Sequence, residues 1–97
     1  MTAIRLAPHA WRDLDRITDH LRAHEVLDVP SRMAEILDAL QLLTLHPHIG
    51  RPTDSGQREL VIGRAARGYV ALYGYDEARD EVVVNAVRAQ REAGFRD

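Results

Sequence analysis

The sequence predicts an α+β domain of order β-α-α-β-β-β, a helical hairpin packed on a small antiparallel-rich sheet. Two stretches of helical apolar spacing fill the first half of the chain, and beyond a Pro- and Gly-dense loop the period changes to that of strands. At 97 residues the chain fits one domain, residues 1–97, and no composition break, repeat or low-complexity tract divides it.

Residues Ala3 to Ala7 alternate Ile4 and Leu6 against Ala3, Arg5 and Ala7, the period of a short opening strand. Pro8 suits the first turn of a helix, and Ala10, Leu14, Ile17 and Leu21 then form one apolar face from about Pro8 to His24. The opposite face holds Arg12, Asp13, Asp15, Arg16, Asp19 and Arg22, which read as solvated charge pairs. Trp11 lies off the centre of the stripe, as a rim contact or as an exposed anchor for a partner.

In the connector Glu25–Pro30, Asp28 is placed to cap the second helix and Pro30 to enter its first turn. Met33, Ile36, Leu37, Leu40 and Leu43 keep helical spacing, widened by Ala34, Leu42 and Leu45, until His46-Pro47 ends the helix. Residues His46 to Gln57 read as a loop. Leu60-Val61-Ile62, the run from Tyr69 to Tyr73 and the run from Val82 to Val87 read as three strands of a meander. Within the second of these, Tyr69, Ala71 and Tyr73 share one face, and packing of the tyrosines is the simplest use for it.

A net charge of −2 argues against coating nucleic acid by bulk charge, although local patches remain open. All 13 basic residues are arginine, which binds phosphates and carboxylates well but cannot act as a base at neutral pH. With no cysteine, disulfides and thiolate chemistry are excluded. No run approaches the roughly 20 apolar residues of a membrane span, and the start of the chain lacks the apolar core of a signal peptide, so a cytoplasmic location is expected.

His20 and His24 have the i,i+4 spacing of a helical zinc pair, but spacing marks no third ligand, and surface histidines are the expectation. No metal or cofactor is expected. No nucleophilic triad, Walker loop, dinucleotide signature or acid/base carboxylate pair is present. The C-terminal half is richer in arginine: residues 51–75 carry Arg51, Arg58, Arg64 and Arg67 against two carboxylates, and Arg88, Arg91 and Arg96 follow. These read either as ordinary surface arginines or as a patch for phosphates or an acidic partner.

Several segments together resemble the RelE/ParE superfamily of toxin-antitoxin toxins across nearly the whole chain. They are Leu6-Ala7-Pro8 with Ala10 and Asp13-Leu14, the loop His46-Pro47-His48-Ile49-Gly50-Arg51-Pro52, Arg58-Glu59-Leu60, the strand from Gly68 to Tyr73, and the tail from Ala86 to Phe95. The resemblance implies a cognate antitoxin as partner, no cofactor, and one of two activities. ParE-like members block DNA gyrase, whereas RelE-like members cleave messenger RNA on the ribosome.

This chain departs from the nuclease pattern: Val70 follows Tyr69 where an arginine is usual, Ala89 stands where His is common, and Phe95 replaces a C-terminal tyrosine. Phe95 has no hydroxyl to move a proton. The expectation is therefore a ParE-like gyrase inhibitor rather than an enzyme. The alternatives are a ribosome-dependent endoribonuclease and a degenerate toxin that only binds antitoxin. Target contacts are expected from Arg58, Arg64, Arg67, Tyr69, Tyr73, Arg88, Gln90, Arg91 and Phe95, and an antitoxin groove from Trp11, Leu14, Leu37 and Leu40.

Overall fold

The computed structural model describes residues 2–24, 27–63 and 68–90. Two helices pack on one face of a five-stranded sheet. Strand β1 (Ala3–Leu6) leads into α1 (Pro8–Ala23) and α2 (Val29–Gln41), followed by a 3-10 turn at Leu42–Thr44. Then come β2 (Arg51–Pro52), β3 (Arg58–Ile62), β4 (Tyr69–Asp76) and β5 (Glu81–Ala89), with sheet order β1-β5-β4-β3-β2. The last three strands form the expected meander. β1 lies parallel to β5, from Ala3 opposite Glu81 to Leu6 opposite Val84, so the sheet is mixed.

Pro8 stands in the first turn of α1 as expected, and Ala10, Leu14, Ile17 and Leu21 are buried against the sheet. Asp28 begins α2 in the left-handed region (φ 60°), a conformation short polar side chains tolerate, and its carboxylate accepts the Ser31 N–H at 3.3 Å. The helix is shorter than its apolar spacing implied. It tightens after Gln41 into the 3-10 turn, where Leu43 is fully buried and the Thr44 carbonyl accepts the Thr2 N–H at 3.1 Å. The loop expected from His46 to Gln57 also contains a strand: Arg51 and Pro52 pair with Glu59 and Arg58 at the sheet edge, a position proline tolerates.

The β4–β5 ladder carries a bulge. Leu72 opposes Ala86 while its successor Tyr73 opposes Val84, so Asn85 is the extra residue. Side chains alternate along a strand, and an extra residue reverses the alternation beyond it. Val82 and Val84 face the helices before the bulge and Val87 after it, all fully buried, beside Tyr73 and Ala71.

Just past this point α1 is tied to the sheet. The Val87 N–H donates to the Asp13 carboxylate at 3.0 Å in a buried hydrogen bond. Asp13, expected on the solvated face, is buried instead. His9 Nε2 (3.4 Å) and an Arg16 guanidinium nitrogen (3.5 Å) approach it from the solvent side. A second tether fixes β1. The Asp80 carboxylate accepts hydroxyl hydrogen bonds from Thr2 (2.6 Å) and Tyr75 (2.7 Å), and the Asp80 carbonyl accepts the Ala3 N–H (3.0 Å). The Thr2 bond, followed by the Tyr75 bond, holds the Asp80 carboxyl below its ordinary value, while the bond to Asp80 raises the Tyr75 phenol.

Two outcomes follow. Asp13→Ala leaves a buried N–H without an acceptor and should lower unfolding stability by about 1–3 kcal/mol; an unchanged urea midpoint would contradict the assignment. For Asp80, a lowered folded value means that its contribution is present above the ordinary carboxylate range and lost as pH falls through it. Below about pH 4, amide protection in β1 should decline. Asp80→Asn, which still tolerates the residue's positive φ of 51°, should flatten that acid dependence; parallel profiles for the two proteins would count against the tether.

Candidate functional site

The face of the sheet turned away from the helices carries the most distinctive surface among the described residues. Directly opposed residues project to the same side, so the register assembles rows across it. Val61 on β3, Val70 on β4 and Arg88 on β5 form one row, and Glu59, Leu72 and Ala86 form the next. Val61 is 53% exposed, Val70 and Leu72 are half-buried, and Arg88 is exposed. The floor is apolar. At its margins Arg51 bonds Glu59 at 2.6 Å and Arg5 lies 3.6 Å from Glu81. The Asn85 amide donates to Gln57 Oε1 at 2.6 Å, linking the bulge to the residue before β3.

Electrostatically the face is divided. Its carboxylates are occupied: Glu59 by Arg51, Glu81 by Arg5, and Asp76 at the far turn by Arg79 at 4.0 Å. Arg88 has no ion pair among the described residues, which leaves its guanidinium available for a phosphate or carboxylate. It is the member of the expected contact set that the structure presents most openly.

The other expected residues separate. Tyr69 and Tyr73 project toward the helices and are buried, so they are core residues rather than surface contacts. The Tyr73 hydroxyl donates to the Pro47 carbonyl (2.8 Å) and accepts the Gly50 N–H (2.9 Å). Arg58, opposite Tyr73, donates to the carbonyls of Gly50 (2.8 Å) and His48 (3.1 Å). Together they clip the Pro47–Gly50 loop to the sheet. The Gln90 N–H donates to the Gly68 carbonyl at 2.9 Å, while its side-chain oxygen is buried without a partner among the described residues. Arg64, Arg67, Arg91 and Phe95 lie outside the described residues.

The expected groove residues also divide. Leu14 and Leu40 sit at the centres of their helical stripes and are buried in the core, which corrects their placement in a groove. Trp11 (57% exposed) and Leu37 lie on the flanks of those stripes and are exposed, as are Leu42 and Leu45 farther along. Among the described residues no group of three or more His, Asp or Glu could hold a metal ion.

A sequence model of the family described as the ParE toxin of the type II toxin-antitoxin system, parDE, matches residues 4–94. The chain belongs to the ParE toxin family. By fold it is similar to a chain of the chromosomal ParDE toxin-antitoxin system from P. aeruginosa. The TM-score is 0.74 at 20% identity, covering 92% of this chain and 96% of that one. It is also similar to a chain of the RelBE2 toxin-antitoxin complex from Mycobacterium tuberculosis, with TM-score 0.64, 22% identity, and 91% and 96% coverage. No curated protein matches by sequence.

Sequence reading missed Arg5, Asn85 and Gln57 on the open face of this ParE-family chain. Their signal was faint: a polar Asn85 interrupting Val82-Val83-Val84 and Ala86-Val87 was the available hint of a bulge. Gly50 is a sharper case. A Cβ there would meet the Tyr73 ring and hydroxyl at 2.7 Å and the Glu59 carbonyl at 2.9 Å. Tyr73→Phe should therefore cost about 1–3 kcal/mol and speed amide exchange at Gly50, and Gly50→Ala should produce the same loosening by steric conflict. Unchanged exchange at residue 50 in Tyr73→Phe would show that the clip does not hold the loop.

Proposed function

We propose that this ParE-family toxin acts by binding DNA gyrase and blocking it without bond-cleaving chemistry of its own, in the cytoplasm where that target resides. The observation that supports this reading is the commitment of the candidate proton-transfer groups. Tyr69 and Tyr73 are buried, the Tyr75 hydroxyl is on Asp80, and the carboxylates of the open face are ion-paired. What the face offers is an apolar floor beside a guanidinium with no ion pair among the described residues, a surface suited to grip rather than to catalysis.

A cognate antitoxin neutralises the toxin in this reading. The two similar structures come from toxin-antitoxin systems, and the exposed apolar flanks of the hairpin at Trp11, Leu37, Leu42 and Leu45 suit an amphipathic segment laid across them. The competing reading is a ribosome-dependent messenger RNA endoribonuclease, favoured by the exposed Arg88, which has no ion pair among the described residues and suits a phosphate.

Purified toxin should inhibit DNA supercoiling by gyrase, and Arg88→Ala should weaken inhibition by roughly tenfold, equivalent to about 1.4 kcal/mol. No inhibition at high excess, together with messenger RNA cut within codons on expression, would replace this function with the ribonuclease. Trp11→Ala should weaken antitoxin binding by about 2 kcal/mol in calorimetry while leaving gyrase inhibition intact.

A further inference from the structure

We propose that His20, in the last turn of α1, and His24, its C-cap, form a binding site for a late first-row divalent cation, with Zn2+ as the cellular ligand. The spacing alone was not enough to suggest a site, and the structure adds three observations. The two exposed rings lie side by side, with centroids 4.1 Å apart and planes tilted by 36°. Metal–nitrogen bonds of about 2.0–2.1 Å at octahedral or tetrahedral angles hold imidazole nitrogens roughly 2.9–3.4 Å apart, a separation that rotation of two exposed rings this close together can reach.

The second observation concerns the tautomer. His24 Nδ1 lies 2.9 Å from the His20 carbonyl oxygen. A carbonyl only accepts, so Nδ1 carries the proton and Nε2 keeps its lone pair for a ligand. Metal-binding histidines are oriented in the same way, by donating their other ring N–H to a carbonyl or carboxylate. The site therefore has part of its supporting shell in place.

Third, the electrostatic setting favours a cation. The pair sits at the C-terminal end of α1, where the helix dipole places partial negative charge. Arg22, in the same turn, is two positions from each histidine and so does not face them, and Arg16 one turn earlier is directed to Asp13 at 3.5 Å. With two protein ligands and no third within reach among the described residues, water fills the remaining positions. Such a site is exchangeable rather than structural. Because the two rings come together only while the His24 N–H stays on the His20 carbonyl at the end of α1, the ion staples that end of the helix.

Calorimetric titration of tag-free, chelator-treated full-length toxin with ZnCl2, and with NiCl2 as a second probe, tests the site. One ion should bind per chain. His20→Ala and His24→Ala should each weaken binding by more than the roughly 10–100-fold that outer-shell changes typically cost, and the double variant His46→Ala/His48→Ala should bind as wild type. Circular dichroism of each variant checks that the fold is retained. Wild-type binding no tighter than that of folded His20→Ala, or binding abolished in the His46/His48 variant, would overturn the assignment.

Discussion

A single buried hydrogen bond, from the Val87 amide to the Asp13 carboxylate, organises this molecule. The bulge at Asn85 reverses the side-chain alternation of β5 where the strand passes under α1. Beyond it Val87 points into the core and Arg88 points away from the helices. Without the extra residue the two would exchange faces, placing a guanidinium in the buried core and a valine on the surface. Asp13 takes up the backbone donor beside the irregularity and fastens the helix to the place where the alternation changes. A core interaction thus sets the chemistry of the opposite face.

The same division explains what happens to the tyrosines. A hydroxyl within reach of solvent can take part in proton transfer, whereas one enclosed between a loop carbonyl and a glycine amide serves as a strut. Tyr73 is the second kind, with Arg58 beside it bonding the same loop. The Pro47–Gly50 segment, short of apolar side chains, gains its order from polar groups of the sheet rather than from burial of its own. The aromatic and basic residues that look most reactive in the sequence therefore include part of the scaffold.

Much of the fold was legible in advance because its signals are periodic. The stripes Ala10–Leu14–Ile17–Leu21 and Met33–Ile36–Leu40–Leu43 announce two helices, and Pro8 and Asp28 mark their starts. Two features were less visible. Period-2 spacing does not specify whether β1 joins the sheet in parallel, since that depends on pairing with a strand at the other end of the chain. Nor does an aspartate among other charges on a helix reveal that its carboxylate is buried on a backbone amide. The candidate site was legible in kind but not in detail: Arg88 emerges on the open face, whereas Tyr69, Tyr73, Leu14 and Leu40 sit in the core because stripe centres and alternate strand positions are where packing claims side chains.

The parallel seating of β1 beside β5 also has a consequence in time. Thr2 and Asp80, joined by a hydrogen bond, are 78 positions apart in the chain. At synthesis rates of about 5–20 residues per second, the first strand is made roughly 4–16 s before its neighbour. During that interval Ile4 and Leu6 have no sheet to join and the core of α1 has no β5 to cover it. The domain closes as a late, long-range event, so a nascent chain carries the sequence of the toxin well before it carries the completed surface.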